Sequence, residues 1–130
     1  MGSNVKKIVI AEKAPKPVGP YSQAVKAGKF LFVSGQLPIE PKEGKIVAAD
    51  IASQTKRVME NINLILDAAG YSMGDVVSTS VYLASMALFD EFNREYSKYF
   101  DADFPARTTV AGAELKAGAL IEVSAVAYKK

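Results

Sequence analysis

Residues 50–70 read DIASQTKRVMENINLILDAAG, and this stretch predicts one long amphipathic helix. Asp50 is a residue type that favours the position before the first helical turn, and Gly70 is typical of a helix end. Between them apolar side chains recur at helical spacing, so that they share one face of a helix over Ile51–Ala69. These apolar positions are Ile51, Val58, Ile62, Ile65, Leu66 and Ala69.

The segments before this helix favour β-strands. A β-rich run predicts a first strand over Val5–Ile10. Two further runs, Tyr21–Lys26 and Lys29–Ser34, predict a hairpin that turns at Ala27–Gly28. Residues from Pro38 to Gly44 predict a loop. The amino-terminal part of the chain is therefore expected to supply three strands.

The segments after the first helix alternate between strand and helix patterns. Val76–Leu83 predicts a strand, and Ser85 is placed to begin a second helix. Thr108–Ala113 and Leu120–Tyr128 predict the last two strands. The second helix carries aromatic side chains on one broad face, namely Phe89, Phe92, Tyr96, Tyr99 and Phe100.

The element order β-β-β-α-β-α-β-β predicts an α+β fold, in which two helices pack on one face of a sheet of about six strands. Two helices cover only one face, so the other face needs a second cover. In a chain of 130 residues, self-association is the simplest way to supply it. We expect a single domain over residues 1–130, with Met1–Ser3 as a possible cloning remnant.

The composition excludes several kinds of chemistry. The chain has no Cys and no His, which excludes disulfides, thiolate and imidazole catalysis and the usual zinc sites. Its formal net charge is only +2 and its lysines are scattered, which argues against nucleic acid as a partner. No stretch is apolar for long enough to span a bilayer and no leader pattern begins the chain, so we expect a cytoplasmic protein.

Two charged residues near the carboxyl end are candidate site residues. Arg107 lies in Phe104–Val110, FPARTTV, and Glu122 lies in Leu120–Ala127, LIEVSAVA. If the two strands pair, Arg107 can hold a carboxylate with two hydrogen bonds while Glu122 activates water beside it. A structural role remains open for both. Arg107 would then be an exposed residue at a loop–strand junction, and Glu122 would lie on a solvated face or in an ion pair.

The other candidate site residues also have simple structural explanations. Tyr21 could shape a cleft or be a packed aromatic, and Asn93 could bind a ligand or be a helix-surface amide. Ser34 and Gly35 could end a strand, although Gly35 would also let a ligand approach the backbone. Thr109 is a residue type that favours β-strands, and this preference alone could explain its presence. The sequence contains no metal-ligand cluster and no nucleotide-binding glycine motif.

Five short motifs in a fixed order resemble the Rid (YjgF) family. Within it the chain is most similar to the RidA group, the reactive intermediate imine deaminases. Each motif alone is weak, but the five together at this spacing are specific, and the resemblance runs from about Lys7 to Lys129. The motifs are Gly19–Ala24 (GPYSQA), Phe32–Gln36 (FVSGQ), Gln54–Gly70 with Glu60-Asn61-Ile62, Pro105–Arg107 (PAR) and Ile121–Val123 (IEV).

The resemblance implies a chorismate-mutase-like α+β fold, with a six-stranded, mostly antiparallel sheet and two helices on one face. It also implies a homotrimer with a central barrel and three clefts between neighbouring subunits. It implies hydrolysis of 2-imino acids, such as 2-iminobutanoate and 2-iminopropanoate, to 2-keto acids and ammonia. Pyridoxal-phosphate dehydratases release such imines or their enamine tautomers. No metal and no organic cofactor is implied.

The resemblance also implies roles for individual residues. Arg107 matches the family's carboxylate-binding arginine, and Glu122 matches its water-handling glutamate. Tyr21 matches the cleft tyrosine, Gly35 the glycine that contacts substrate through its backbone, and Asn93 the helix asparagine. We therefore expect Arg107, Glu122 and Tyr21 to be catalytic.

Threonines replace two residues that are common in the family. The position after the arginine is often serine and is Thr108 here, which keeps the hydroxyl group. The next position is often cysteine and is Thr109 here, so no thiol chemistry is possible, although its backbone N–H can still reach a carboxylate. We expect Thr109 and Ser34 among the substrate-binding residues, with Arg107, Gly35 and Asn93.

Two other functions are open at the level of the sequence. The same cleft could serve a small-acid binding or regulatory protein without turnover, because Arg107 would act in both. A ribonuclease or translation inhibitor is the other alternative, since such activity is attributed to some relatives. The absence of His and of a basic cluster argues against this third function.

Overall fold

The structure, a computed structural model, describes residues 5–130, so the predicted remnant Met1–Ser3 lies outside the described residues. The described residues form two α-helices, α1 (Ile51–Ala68) and α2 (Phe89–Ser97), and eight strands. The strands are β1 (Lys6–Val9), β2 (Ala24–Ala27), β3 (Phe30–Gln36), β4 (Ile39–Glu40), β5 (Lys45–Ile46), β6 (Val76–Leu83), β7 (Ala106–Ala111) and β8 (Ile121–Tyr128).

Six of the strands form one sheet in the order β1-β2-β3-β8-β6-β7. All neighbours in it are antiparallel except β6 and β7, which run parallel. This confirms the predicted α+β fold with a mostly antiparallel six-stranded sheet. The remaining strands, β4 and β5, form a separate hairpin.

The strands of Arg107 and Glu122 do not pair, so the condition on which their side-by-side arrangement depended is not met. Strand β6 lies between β7 and β8 in the sheet. The physical reason is the connection through α2, because a helical crossover returns the chain parallel to the strand that it left. Strand β7 therefore takes the outer place beside β6, and β8 pairs with the opposite edge of β6.

The helix α1 forms where the sequence predicts it. Its first turn is capped by Asp50, whose carboxylate accepts a hydrogen bond of 2.8 Å from the Ser53 N–H. The apolar face of α1 packs on β3 and β8, and α2 packs beside α1. As strand alternation predicts, β8 buries one set of side chains in this core, namely Ile121, Val123, Ala125 and Ala127.

The second helix begins later than the pattern suggests. Ser85 accepts a hydrogen bond from the Ala87 N–H and caps a short 3₁₀ turn over Met86–Leu88, after which α2 starts at Phe89. Phe92 and Tyr96 are buried as predicted. The remaining aromatic residues of the predicted face, Phe89, Tyr99 and Phe100, are partly buried against the same core.

Three other segments differ from their predictions. The predicted loop Pro38–Gly44 contains most of the β4–β5 hairpin. Strand β2 begins at Ala24 and not at Tyr21, and β7 occupies Ala106–Ala111 where Thr108–Ala113 was predicted. Gly112 has a φ of 80°, a left-handed conformation that ends β7.

The sheet face away from the helices is rich in exposed apolar side chains. The ring of Phe30 lies 4.9 Å from that of Tyr128 and 6.2 Å from that of Phe32, measured between centroids. Further exposed side chains are Tyr82 on β6 and Val110 on β7. Such a patch is typical of a surface that another protein covers.

Among the described residues, none of the helices is long and apolar enough to cross a membrane.

Candidate functional site

Arg107 lies on the helix-covered face of the sheet. It pairs with Thr79 across β7 and β6, and the Thr79 hydroxyl shares a 2.8 Å hydrogen bond with the Tyr96 hydroxyl. The guanidinium carbon of Arg107 lies 5.7, 5.1 and 5.0 Å from the ring centres of Phe89, Phe92 and Tyr96. These aromatic contacts hold the side chain over α2 without using its hydrogen-bond donors.

Beside Arg107 is a cavity of about 370 Å³. Within residues 5–130, no carboxylate lies within ion-pair distance of the guanidinium. An arginine held among aromatic rings with free donors is suited to a planar anion such as a carboxylate. The residues that line this cavity are Asn93, Tyr96, Ser97, Phe104, Pro105 and Arg107.

Thr109 lies two residues beyond Arg107 and points to the same sheet face. Its hydroxyl oxygen is buried and has no hydrogen-bond partner among the described residues. Thr109 does not line the cavity beside Arg107. Strand β7 is an edge strand, so part of its backbone remains unpaired.

Glu122 lies on the opposite, open face of the sheet. It pairs with Tyr82 across β8 and β6. The Glu122 carboxylate is close to Gly35, where a Cβ atom would overlap the carboxylate oxygen and lie 3.0 Å from Cδ. Gly35 belongs to a bulge in β3 between Val33 and Gln36. Only a glycine leaves room for this contact.

Burial raises the pKa of Glu122 above its usual range. The carboxylate is half-buried and has no hydrogen bond or ion pair to any other described residue. Because burial disfavours the ionised carboxylate, Glu122 holds its proton more tightly in the folded state than in the unfolded chain. Protonation of Glu122 therefore stabilises the fold at acid pH. This stabilisation is lost as the pH rises through the raised pKa. The same shift suits a proton acceptor that works nearer neutrality.

Ser34 and Tyr21 lie on the same side of the molecule as Gly35. The Ser34 hydroxyl donates a 2.6 Å hydrogen bond to the Ser22 carbonyl, which ties the bulge to the segment that carries Tyr21. Tyr21 is 46% exposed, and it lines a small cavity together with Gly35. Its hydroxyl accepts a 3.3 Å hydrogen bond from the Val18 N–H.

The structure therefore brings the predicted site residues into two groups. Arg107, Asn93 and Thr109 lie on the side of α2, whereas the second group lies around the bulge in β3. Arg107 and Glu122 lie on opposite faces of the sheet: Thr79, which pairs with Arg107, is buried, whereas Tyr82, which pairs with Glu122, is exposed. One chain does not join the two groups into one site. The second group consists of Tyr21, Ser34, Gly35 and Glu122.

Sequence reasoning missed the buried amides that hold the second group. Gln23 is buried, and its side chain bonds to the backbone of Ala11 and Pro15, which fixes the loop before Tyr21. Gln54 and Asn61 on α1 are also buried. The sequence signal was their spacing of seven residues, which places both on the apolar face of α1. A fully buried amide on such a face needs hydrogen-bond partners.

Within the described residues, no group of three Asp, Glu, His or Cys side chains is placed to hold a metal ion.

The chain is similar to known proteins over nearly its whole length. The sequence profile of the family described as Endoribonuclease L-PSP matches residues 11–129. A RutC family protein of Pyrococcus horikoshii is 52% identical over 126 residues, which are 97% of this chain and 100% of that protein. A human protein named 2-iminobutanoate/2-iminopropanoate deaminase is 39% identical over 129 residues, which are 99% of this chain and 94% of its own.

The chain is also similar to a solved structure over nearly its whole length. The crystal structure of Escherichia coli TdcF with bound serine has a TM-score of 0.91 and 35% identity, and the match covers 95% of this chain and 99% of that chain. The fold is thus the chorismate-mutase-like α+β fold. The chain belongs to the YjgF/Rid family.

The contact between Gly35 and Glu122 predicts coupled mutations. Gly35→Ala should lower the free energy of unfolding by about 1 kcal/mol or more, because the new methyl group displaces the carboxylate. In a Glu122→Ala background the same change should cost much less, which a double-mutant cycle of urea unfolding measures. Gly74→Ala is the matched control, since a Cβ there meets only the Ser72 hydroxyl at 3.8 Å. Equal costs in both backgrounds would contradict the contact.

Proposed function

We propose that the protein is a hydrolytic deaminase of reactive 2-imino acids, such as 2-iminobutanoate and 2-iminopropanoate, which yields 2-keto acids and ammonia. The observation that carries this proposal is a pair of groups that have no ion-pair partner within residues 5–130, namely Arg107 in its aromatic surroundings and Glu122 with its raised pKa. The human relative that bears the name of this activity supports the choice of substrate. The cytoplasm is the compartment that we propose.

Substrate capture is the task of the α2 side of the site. Arg107 would hold the substrate carboxylate with two parallel hydrogen bonds, and the Thr109 N–H would add a third donor. Asn93 lines the same cavity and would contribute its amide. Because an imine is short-lived and already electrophilic, placing it beside an ordered water supplies most of the required catalysis.

Water activation is the task of the bulge side. Glu122 would accept a proton from water as the water oxygen bonds to the carbon of the imine in its protonated form, which gives a carbinolamine with a neutral amino group. Glu122 would return this proton to the amino nitrogen and then accept the proton of the carbinolamine hydroxyl as the C=O bond forms and the C–N bond breaks. Ammonia and the 2-keto acid are released, and Glu122 loses its proton to solvent. The Gly35 carbonyl would accept a hydrogen bond from the imine nitrogen, and the Tyr21 hydroxyl would donate one to the substrate.

Because these two sides lie on opposite faces of the sheet in one chain, the complete site needs a second copy. We propose a homotrimer, in which the exposed apolar face around Phe30, Phe32 and Tyr128 is covered by neighbouring subunits. Each cleft would then combine Arg107 of one subunit with Glu122 of the next. No metal or organic cofactor takes part in this proposal.

Binding without turnover is a second candidate function. The related TdcF structure holds serine, a small amino acid, which favours a site for small acids in this fold. Arg107 would serve such a binding protein equally well. Turnover is therefore the property to measure.

Replacement of Arg107 tests substrate capture. A dehydratase acting on serine or threonine supplies the imine, and semicarbazide traps what remains. The wild-type protein should deplete the trapped imine, whereas Arg107→Ala should not, because losing a charged carboxylate pair costs roughly 2–5 kcal/mol. Arg94→Ala, at an exposed position of α2, should behave like wild type. Unchanged activity of Arg107→Ala would rule out this assignment.

Replacement of Glu122 separates turnover from binding. Glu122→Gln should lower kcat strongly while the affinity for a 2-keto acid persists, because the amide cannot accept the proton of water. In the wild type, activity should fall as the pH drops through the raised pKa of Glu122, above the ordinary glutamate value of about 4.3. Glu43→Gln, at an exposed turn, is the control. Loss of keto-acid binding in Glu122→Gln would make Glu122 structural.

Mixing the two inactive variants tests the shared cleft. In randomly mixed trimers of Arg107→Ala and Glu122→Gln, about one quarter of the shared sites would combine an intact arginine with an intact glutamate. Co-refolded mixtures should therefore recover imine depletion that neither variant shows alone. A mixture that forms trimers but stays inactive would contradict a site made of two subunits.

A further inference from the structure

We propose that Gln54 and Asn61 on α1 are positioning residues that fix the two strand ends on which Gly35 and Glu122 lie. This inference rests on the proposed function, because its catalytic meaning depends on the role of Glu122. The two amides are seven residues apart, about two helical turns, so they share one face of α1. Gln54 is 4% exposed and Asn61 is 0% exposed.

Asn61 holds the chain that follows Gly35. Its side-chain NH₂ donates hydrogen bonds of 3.2 Å to the Leu37 carbonyl and 2.9 Å to the Ile39 carbonyl. Its side-chain oxygen accepts a 3.2 Å hydrogen bond from the Arg57 Nε. The Arg57 guanidinium in turn forms a 3.1 Å ion pair with Glu40 on β4. The segment after the bulge is thus bonded to α1 at several points.

Gln54 holds the chain that precedes Glu122. Its side-chain oxygen accepts a 2.9 Å hydrogen bond from the Leu120 N–H, two residues before Glu122. Its side-chain NH₂ donates a 2.9 Å hydrogen bond to the Ala48 carbonyl in the segment before α1. One buried amide therefore links the start of β8 to the start of the helix.

The backbone ladder holds only one side of this region. Strand β8 pairs with β6 as far as Leu83 and Ile121, and the Ala84 N–H donates a 2.9 Å hydrogen bond to the Leu120 carbonyl. The register between β3 and β8 ends at the pair Gln36–Val123, so pairing between these two strands holds neither Leu37 nor Leu120. The bulge at Gly35 further loosens the register just where the carboxylate of Glu122 approaches. From the helix side the two amides add a constraint between the β3 and β8 segments, and a shift of either segment would move Glu122 relative to Gly35.

Four variants test this proposal. Gln54→Leu removes the hydrogen bond to Leu120, whereas Gln54→Glu keeps an oxygen that accepts it. Asn61→Asp keeps the size of the side chain but removes both donors to the Leu37 and Ile39 carbonyls. Val58→Ala is the control for general destabilisation, because Val58 lies between the two amides on α1, is fully buried and has only an apolar side chain.

Two readouts are needed, kcat and KM for the imine, and the titration of the Glu122 carboxyl carbon by NMR. Gln54→Leu and Asn61→Asp should lower kcat about tenfold or more with little change in KM, because Arg107 is untouched. The Glu122 titration should shift in both, towards the ordinary value. Gln54→Glu should keep more activity than Gln54→Leu, and Val58→Ala should keep the wild-type kcat and titration with a lower unfolding midpoint.

The outcomes distinguish the two proposals. If the folded amide variants match Val58→Ala in kcat and in the Glu122 titration, the positioning role is overturned. If the wild type does not hydrolyse imines, the proposed function fails, and the Glu122 titration alone decides whether the amides position this carboxylate. If Asn61→Asp does not fold, the comparison of Gln54→Leu with Gln54→Glu decides.

Discussion

The packing of α1 against β8 is the interaction on which the rest of the structure depends. The burial of Ile121 and Val123 against the helix fixes which way every residue of β8 points, since side chains alternate between the faces of a strand. Glu122 is therefore forced onto the open face, away from the helices. Its position follows from the hydrophobic burial of its neighbours, since within the described part of the chain its carboxylate has no ion pair.

A different constraint places Arg107. The crossover through α2 sets β7 parallel to β6 at the edge of the sheet and brings the aromatic residues of α2 over the arginine. Cation–aromatic contacts hold the guanidinium without satisfying its donors. The same sheet thus carries a guanidinium suited to anions on one side and a carboxyl group with a raised pKa on the other. Neither group has a charged partner among residues 5–130.

Local sequence signals predict some segments of the fold and not others. The helix over Ile51–Ala68 was predictable within one residue because its cap and its apolar spacing are local signals. The inward and outward residues of β8 followed from alternation. The pairing of β7 with β6 does not follow from periodicity, which identifies a strand but not its neighbour in the sheet; the helical crossover through α2 was the signal that could have indicated it. The bulge at Gly35 lies against Glu122, and Asn61 bonds to the Ile39 carbonyl in β4; both are contacts between segments far apart in the sequence, which no local pattern predicts.

Separation of the two charged groups on opposite faces has a consequence for how activity would depend on protein concentration. If the cleft is shared as proposed, an isolated chain holds two incomplete halves, and the number of working sites follows mass action. Dilution below the dissociation constant of the assembly would then abolish the activity without unfolding the protein. The abundance of the chain, and not only its turnover rate, would set how much imine the cell can remove.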